Sequence, residues 1–363
     1  MFSTPVKSTL AWVALVAVAC PVLSCGSEVR KSLPCRGKPI IAASGSSAQV
    51  GAMNLFNIAY SEACQGRSVD YISNGSGAGR SDFISGDADF GGSDSPLGLT
   101  SGETDRARAR CGGKDAWNLP LVFGAIAIIF NVAELDSLVL DAPTAAKIFN
   151  GSITEWDSPE IAALNPGQPL PSGPIVVIAR NDESGTTENF QNYLATAAGS
   201  AWGRGSGETF HGVAGETAKG NEGAWEAMRH LSGSITYTAW PFAKQNGLPT
   251  ASILTSAASA PVRLSVDSVA KSIASVDILT SGNNLVLDTS ALVTPTKAGA
   301  YPIVMATYET VCSTYPDPEV GAAVKRFLTV ALGEGQRDLG DAGYVPVPDS
   351  VRDRLVEAIN AIT

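Results

Sequence analysis

In this 363-residue chain, short apolar segments, turns rich in glycine and serine, and segments with helical spacing follow one another repeatedly. The first unit joins the apolar residues 39–43 to the turn 44–47 and to a helical segment at 53–63. Strands that alternate with helices in this order are typical of an α/β fold with a parallel sheet. A longer apolar run, 119–132, is too short to span a membrane and predicts a buried strand that crosses between domains. The chain length suits about two domains.

The amino-acid composition narrows the classes of function that this chain can have. The 35 acidic residues exceed the 25 basic ones and give a formal charge of −10, with no basic block along the chain. Nucleic-acid binding depends largely on neutralising phosphates with Lys and Arg, so nucleic acid is not an expected partner. Two histidines, His211 and His230, are too few for a histidine-rich metal centre or a histidine relay. The sequence also lacks C-x-x-C, G-x-S-x-G and P-loop patterns, so we predict no catalytic residue, metal or cofactor.

The first residues predict an export signal. Lys7 is the only charged residue before the apolar stretch 10–23, which is short for a membrane span. The sequence Val-Leu-Ser-Cys that ends at Cys25 is typical of a bacterial lipoprotein cleavage site. We therefore predict a signal peptide at 1–24, a lipid anchor on Cys25 and a tether at 25–37, which place the protein in the periplasm or on the outer face of the membrane. The alternative is ordinary signal cleavage nearby, which leaves a soluble protein.

Four cysteines follow the predicted cleavage site: Cys35, Cys64, Cys111 and Cys312. An even number in an exported chain favours disulfides. Four cysteines allow three pairings, and the spacing alone does not choose among them.

Four turns have the composition of an anion site. They lie at 44–47, 74–79, 91–96 and 180–187, each after a predicted strand. In open α/β sheets, ligands bind beyond the carboxyl ends of the strands, where helix N-termini present free N–H groups. Glycine lets the backbone approach a ligand closely, and Ser or Thr adds a hydroxyl donor. Four such turns together would suit a small oxyanion, whereas the alternative for each turn alone is an ordinary helix cap.

The fourth turn carries the sharpest signal. Arg180 stands at a predicted strand end and offers a planar fork of N–H groups to a tetrahedral oxyanion. Asp182 is spaced to hold that guanidinium, and Ser184, Gly185 and Thr186 offer donors from a helix start. The alternative is a surface ion pair before a capped helix.

In this order, the motifs resemble the substrate-binding proteins of bacterial ABC-type phosphate importers. Residues 43–47 and 74–79 resemble the family's first two phosphate loops, and Phe90–Leu97 is close to its FGASDAPL motif. The stretch 180–186 resembles RxDGSGT, and Lys219–Gly223 resembles KGNDG. Further matches that extend the likeness over most of the mature chain lie at 148–167, 242–246 and 301–303.

The resemblance implies an α/β, two-lobed periplasmic-binding-protein fold (type II). Each lobe is expected to be a mixed sheet flanked by helices, and a two-strand hinge joins the lobes. Lobe 1 is expected at 38–123 plus 306–363, and lobe 2 at 124–305. In this frame we expect the disulfides Cys35–Cys64 and Cys111–Cys312, since the first pair flanks the strand–helix unit that begins lobe 1.

The resemblance also implies a set of phosphate ligands, residue by residue. They are the hydroxyls of Ser47 and Ser76, the N–H of Ala48, the carboxylate of Asp94, the guanidinium of Arg180 and the helix-start donors Ser184, Gly185 and Thr186, with Asp182 as the ion-pair partner of Arg180. Two positions depart from the family. Ala48 stands where Phe or Leu is frequent, and Glu183 stands where Gly is usual. A Glu183 side chain that faces inward is expected to lower affinity, whereas one that faces solvent should change little.

Asp94 is expected to accept a hydrogen bond from a phosphate proton. Phosphate near neutral pH keeps at least one O–H and sulfate has none, so sulfate would face the carboxylate with unpaired acceptors. A site built to bond a hydroxyl rejects an analogue that lacks it by roughly 10⁴ or more. The hypothesis is therefore high-affinity phosphate binding by a monomer, followed by delivery to the membrane permease subunits of an importer.

Three alternatives stay open. Arsenate is a related oxyanion of nearly the same shape that also carries a proton. A surface phosphate sensor or adhesin would keep the fold and the ligand set without a transport role. An extracytoplasmic phosphatase would share the architecture, but it needs a metal cluster or a poised nucleophile that the sequence does not offer.

Overall fold

The computed structural model describes residues 1, 2, 4 and 34–363, with the exception of 99–101, 275 and 291. The chain divides into two compact units, Met1–Pro34 and Cys35–Thr363, and the fold is described for the second unit. The predicted signal peptide, the predicted lipid anchor on Cys25 and most of the predicted tether lie outside the described residues.

Strands and helices alternate along the described residues. The strands are β1 (Ile40–Gly45), β2 (Ser68–Ser73), β3 (Phe90–Ser93), β4 (Ala116–Asn131), β5 (Val139–Asp141), β6 (Val176–Arg180), β7 (Glu216–Ala218), β8 (Ser234–Ala239), β9 (Ser252–Leu254), β10 (Asp277–Ile278), β11 (Leu287–Asp288) and β12 (Val304–Cys312). The helices are α1 (Val50–Ala63), α2 (Ser76–Ser85), α3 (Glu103–Arg110), α4 (Ala142–Phe149), α5 (Pro159–Leu164), α6 (Gly185–Ala197), α7 (Gly199–Trp202), α8 (Gly220–His230), α9 (Trp240–Gln245), α10 (Val266–Ile273), α11 (Pro318–Leu332) and α12 (Asp349–Ala361).

A mixed sheet of eight strands forms the framework, in the order β2-β1-β3-β12-β4-β8-β6-β7. At one end, β1 pairs in parallel with β2 and β3. At the other end, β6 pairs in parallel with β7 and β8. In the centre, β12 and β4 run antiparallel to each other and to their outer neighbours. The predicted α/β class is confirmed, and each end of the sheet has the parallel strands that the alternating pattern indicates.

The apolar run 119–132 forms β4, which is buried along almost its whole length. Residues 116–125 of β4 pair with β12, and residues 126–131 pair with β8. One continuous strand therefore joins the two ends of the sheet. The β4–β12 register shifts beside Pro120, which has no N–H to donate to the ladder, and β-bulges of this kind redirect side chains.

The main differences from the sequence prediction concern helices. The stretch 74–79 was predicted as a turn, but α2 begins within it at Ser76. Glycine is unfavourable inside a helix, yet a Cβ on Gly79 would lie 2.5 Å from the Cα of Gly45, so packing against β1 requires it. The sequence prediction also missed α3, whose composition is almost wholly polar and shows no apolar face.

Aromatic side chains form the cores on both sides of the central strands. Phe327 of α11 stacks on Phe90 at 5.5 Å between ring centroids, and it meets the edge of Tyr60. At the other end of the sheet, Phe190 of α6 stacks on Tyr237 of β8 at 4.5 Å. Such pairs add to the burial of apolar area and fix how α6 and α11 sit on the sheet.

Both predicted disulfides are confirmed. Cys35 pairs with Cys64 and ties the segment before β1 to the end of α1. Cys111 pairs with Cys312 and ties the end of α3 to the end of β12. The second bond joins residues 201 positions apart, so it closes a long loop of the unfolded chain.

Among the described residues, no helix is both long enough and apolar enough to cross a membrane.

Candidate ligand-binding site

The parallel strands β1–β3 and β6–β8 run in opposite directions, so their carboxyl ends face each other where β4 changes partner, and this shared edge brings the predicted turns together. The turn after β1 reaches Asp94 through a hydrogen bond from the Ser46 hydroxyl. The start of α6 reaches the same carboxylate through the Thr186 hydroxyl. The start of α8 reaches the turn after β1 through Asn221, which donates to the hydroxyl of Ser47. The predicted convergence of the turns is present in this structure.

Asp94 lies at the centre of this edge and is 4% exposed. Its Oδ1 accepts hydrogen bonds from Ser46 Oγ at 2.6 Å and from Thr307 Oγ1 at 2.7 Å. Its Oδ2 accepts one hydrogen bond, from Thr186 Oγ1 at 2.9 Å. The backbone N–H of Asp94 donates to Ser76 Oγ at the start of α2, at 3.1 Å.

Burial raises the pKa of Asp94 above its ordinary value. The three hydroxyl donors and the nearby positive charge of Arg180 oppose this shift and favour the ionised form. The side chain is therefore an acceptor held in place by neutral donors.

Arg180 ends β6 and is 4% exposed. Its Nε donates to Asp182 Oδ1 at 2.7 Å, and its Nη2 donates to Asp182 Oδ2. Burial tends to raise the pKa of Asp182, but the hydrogen bonds and charge of Arg180 outweigh it and lower this pKa. The third nitrogen, Nη1, is buried and has no hydrogen-bond partner in the described part of the chain. A buried cationic donor without a partner marks the place where an anion fits.

Gly185 begins α6 at the point where this helix meets the Asp94 turn. A Cβ on Gly185 would lie 2.7 Å from the Cβ of Asp94 and 2.8 Å from the hydroxyl of Ser76. No other residue type fits without movement of the turn or the helix. The glycine thus permits the start of α6 to lie directly over Asp94.

Besides Ser47, Ser76 and Thr186, two further predicted donors already have partners. Ser184 is the N-cap of α6: its Oγ accepts from the N–H of Thr187, and its own N–H donates to the carbonyl of Glu208. The N–H of Ala48 donates to Ser46 Oγ at 3.1 Å. Their roles toward a ligand stay predictions, and the contacts present here show them as elements that shape the turns.

Glu183, which stands where the family usually has Gly, is exposed. Its side chain lies over the first turn of α2, where a Cβ on Gly77 would overlap it. Its carbonyl accepts the N–H of Gly77 at 3.1 Å. Glu183 is therefore exposed at the rim of the site, with its carboxylate beside the first turn of α2.

Sequence reasoning missed three residues of this edge. Ser46 and Thr307 donate to Asp94, and Asn221 is fully buried between the turns. Asn221 Nδ2 donates to Ser47 Oγ at 2.9 Å and to Thr186 Oγ1 at 3.3 Å, while its Oδ1 accepts the N–H of Ala239. Asn221 belongs to the matched motif 219–223, which was a usable signal, whereas nothing in the sequence singles out Thr307 on β12.

The groups at this edge are of the kinds that bind a small anion. The edge combines hydroxyl groups, helix starts, one cationic donor and one carboxylate acceptor. In the described ranges, no group of three or more His, Cys, Asp and Glu side chains is arranged to hold a metal ion.

Comparisons with known proteins agree on the fold and on the family. Residues 29–334 match the model of a PBP superfamily domain. The chain is 55% identical over 328 residues to the phosphate-binding protein PstS 3 of Mycobacterium leprae, which covers 90% of this chain and 88% of that protein. It is 50% identical over 335 residues to the phosphate-binding protein PstS 3 of Mycobacterium tuberculosis, covering 92% and 90% of the two chains.

Solved structures show the same architecture. A high-affinity periplasmic phosphate-binding protein, PfluDING, solved with bound phosphate, superposes with a TM-score of 0.72 at 23% identity and covers 88% of this chain and 93% of its own. A human phosphate-binding apolipoprotein superposes with a TM-score of 0.70 at 20% identity over 88% and 93% of the chains. At such identities the likeness establishes the fold, which confirms the periplasmic-binding-protein fold that the sequence predicts.

Proposed function

The chain belongs to the PBP superfamily and, within it, to the phosphate-binding proteins, and from this premise we propose that it binds inorganic phosphate outside the cytoplasmic membrane and hands it to the permease subunits of an ABC phosphate importer. Phosphate binding is the property that its relatives' names state.

The observation that carries the proposal is the unpartnered Nη1 of Arg180 in the same buried edge as Asp94. A protonated phosphate needs both kinds of group, because its anionic oxygens accept hydrogen bonds and its O–H donates one. Arg180 supplies a charged donor, and the starts of α2, α6 and α8 supply dipoles of the same sign. Asp94 supplies the acceptor.

This arrangement also accounts for selection of phosphate over sulfate. Fully ionised sulfate has only hydrogen-bond acceptors, so no proton would lie between its oxygens and the carboxylate of Asp94. Buried acceptors without donors cost about 1–3 kcal/mol each, and more when they are charged. The overall charge of −10 is no obstacle, because distant surface charges are screened within about 10 Å in ordinary salt.

We further propose that binding closes two lobes around the ligand, with the boundaries predicted from sequence: 38–123 plus 306–363, and 124–305. The change of partner of β4 near residue 125 supports this division. An ion pair between Arg80 and Glu208 supports it too, because it joins the two segments beside the site. Hinges in such proteins lie in the few residues that connect the lobes.

The finer features of the predicted cellular role belong to the same proposal. Cys25 would carry the lipid anchor, the protein would act as a monomer, and it would turn over no substrate. Intact-mass analysis of protein recovered from membranes tests the anchor, because diacylation at Cys25 adds a defined mass and a Cys25→Ala variant would appear in the soluble fraction.

The experiment that tests the binding function is calorimetric titration of ligand-free protein with phosphate and with sulfate. The wild-type protein is expected to bind phosphate tightly and to give no heat with sulfate. In an Asp94→Asn variant, the carboxylate acceptor is gone, so phosphate binding should weaken and the discrimination against sulfate should shrink. Absence of phosphate binding by the wild-type protein would overturn the proposed function.

A further inference from the structure

We propose that Thr307 and Ser46 are specificity-determining positioning residues, which occupy one oxygen of Asp94 and leave the other oxygen with room for one ligand hydroxyl. The inference rests on the proposed function, and it assigns to two residues outside the predicted ligand set the control of which protonation state of an oxyanion the site accepts.

The count of acceptor positions on Asp94 is the first step. An ionised carboxylate has two oxygens and about four lone-pair positions. Oδ1 accepts from both Ser46 and Thr307, so its two positions are taken. Among the described residues, Oδ2 accepts only from Thr186, so one position is left. One ligand O–H fills the carboxylate, and a ligand with no O–H leaves that position empty in a buried site.

The direction of these hydrogen bonds is the second step. Ser46 Oγ accepts the N–H of Ala48, and Thr186 Oγ1 accepts from Asn221 Nδ2, so the proton of each hydroxyl is free to point at Asp94. With these acceptances in place, a protonated Asp94 would carry its proton at the one open position of Oδ2, where a ligand hydroxyl would otherwise donate. The surrounding donors thus favour the ionised carboxylate.

The position of Thr307 is the third step. Thr307 is 2% exposed and lies on β12, the central strand that pairs with β4. The register shift of this pair falls between Thr307 and Tyr308, opposite Pro120. The extra residue of this irregularity is Leu121 on β4, and on β12 the Thr307 hydroxyl reaches a carboxylate 213 positions away in sequence.

The charged and titratable groups around Asp94 set the background for a pH test. Arg180 lowers the pKa of Asp94. The groups with an electrostatic interaction with Asp94 from other elements are Glu188 of α6, Glu309 of β12, Tyr71 of β2 and Tyr344. Burial raises the pKa of Glu309 to about 8, so this neighbour must be present unchanged in every variant.

The test is a Thr307→Val variant, which keeps the size of the side chain and removes the donor. Loss of one hydrogen bond to a charged group should weaken phosphate binding at pH 8 by about tenfold to a hundredfold. Because the pKa of Asp94 rises when a donor is lost, the acid limb of the affinity profile should move to higher pH. Sulfate binding should appear at the acid end of the profile, since a protonated Asp94 can donate to sulfate.

Three controls make the outcome specific. Thr310→Val removes a buried hydroxyl of the same strand that has no hydrogen-bond partner among the described residues, so its affinity and pH profile should match wild type. Thr307→Ser keeps the donor and should restore the wild-type profile. The wild-type protein measured in the same buffers removes the titration of phosphate itself from the comparison.

The outcomes separate this inference from the proposed function. Wild-type phosphate binding with an unshifted profile in Thr307→Val, and with sulfate still excluded, would overturn the role of Thr307. An equal loss of affinity in Thr307→Val and Thr307→Ser, without a pH shift, would show that the strand and not the hydroxyl matters and would overturn it too. Failure of wild type to bind phosphate would overturn the proposed function itself. Ser46→Ala provides a second variant with the same expected shift.

Discussion

The region around Asp94 and the region around Arg180 each hold a carboxylate where the carboxyl ends of the parallel strands face each other, by opposite means. Asp94 is surrounded by hydroxyl groups from three segments, and burial raises its pKa. Asp182 is engaged by both Nε and Nη2 of Arg180, which lowers its pKa in spite of burial. The carboxylate of Asp94 stays available as an acceptor, and the carboxylate of Asp182 is paired with the guanidinium of Arg180.

The difference teaches how a protein presents a donor and an acceptor to one small anion. If Asp94 had a cationic partner, its charge would be neutralised and it would accept a ligand proton weakly. If Arg180 lacked Asp182, its guanidinium would be free to turn away from the site. Neutral hydroxyl donors therefore suit the acceptor Asp94, and an ionic partner suits the donor Arg180. Each of the following predictions changes one part of this arrangement.

Arg180→Met should give the largest effect, because it removes the donor and leaves Asp182 without its partner. Truncation of one member of a buried, hydrogen-bonded charge pair costs about 2–5 kcal/mol, so phosphate affinity should fall roughly 30-fold to several thousand-fold. Calorimetric titration measures it. Arg229→Met is the control, since this exposed guanidinium lies over the ring of Trp225 away from the site. Phosphate binding within threefold of wild type would contradict the donor role.

Gly185→Ala strains the contact where the two regions meet. The new Cβ would lie 2.7 Å from the Cβ of Asp94, so the start of α6 must move away. Overpacking of this kind costs about 1–3 kcal/mol, and phosphate affinity should fall about 5- to 150-fold. Gly199→Ala is the matched control, because its Cβ would meet nothing within 4 Å. Equal affinities of the two variants would show that close approach at Gly185 is dispensable.

The pH dependence of stability should have opposite signs for the two carboxylates. The lowered pKa of Asp182 means that its contribution is present above about pH 4 and is lost as pH falls through its folded pKa. The raised pKa of Asp94 means that its contribution is present below about pH 4 and is lost as pH rises through its folded pKa.

Urea unfolding of ligand-free variants between pH 3 and pH 8 checks this sign. At pH 7, Asp182→Asn should lower the free energy of unfolding by about 1–3 kcal/mol, and the deficit should shrink as the pH falls. Asp94→Asn should change it by less than about 1 kcal/mol at pH 7, because the removal of a buried charge offsets a lost acceptor. A larger loss for Asp94→Asn than for Asp182→Asn at pH 7 would reverse the comparison.

Glu208→Gln tests a second contact between the segments that carry the two regions. Arg80 donates to both carboxylate oxygens of Glu208, at 2.7 and 2.6 Å, and the carbonyl of Glu208 holds the N–H of Ser184. Removal of this charge should weaken phosphate binding about fivefold through faster dissociation, measured by stopped-flow. Glu103→Gln is the control, because Glu103 contacts Arg80 from α3, within the segment 38–123. The same dissociation rate in both variants would show that the contact between Arg80 and Glu208 has no role in closure.

Glu183→Gly should give the smallest effect. The side chain is exposed at the rim, and changes at such positions stay within about 0.5 kcal/mol, or less than about threefold in affinity. A tenfold gain in phosphate affinity, measured by titration at two salt concentrations, would show that its charge does reach the anion.

Much of the site was predictable because its residues lie in short motifs. Arg180 and Asp182 are two positions apart, and both stand beside the helix start that holds Gly185 and Thr186. Thr307 was not predictable, because its partner Asp94 lies 213 positions away and one isolated Thr in an apolar strand carries no signal. Asn221 stood in a recognisable motif, but its bridging role depends on how α8 packs against the turn after β1.

The sequence by itself determined the α/β order and the strand-end turns and predicts the donors, since strand alternation, glycine-rich turns and helix caps depend on neighbouring residues. Only the tertiary structure decided that Glu183 is exposed and lies over the first turn of α2. It also decided that three hydroxyls converge on Asp94. The physical reason is that these contacts join residues far apart in the chain, and their geometry is fixed by the packing of helices on the sheet and not by local preference.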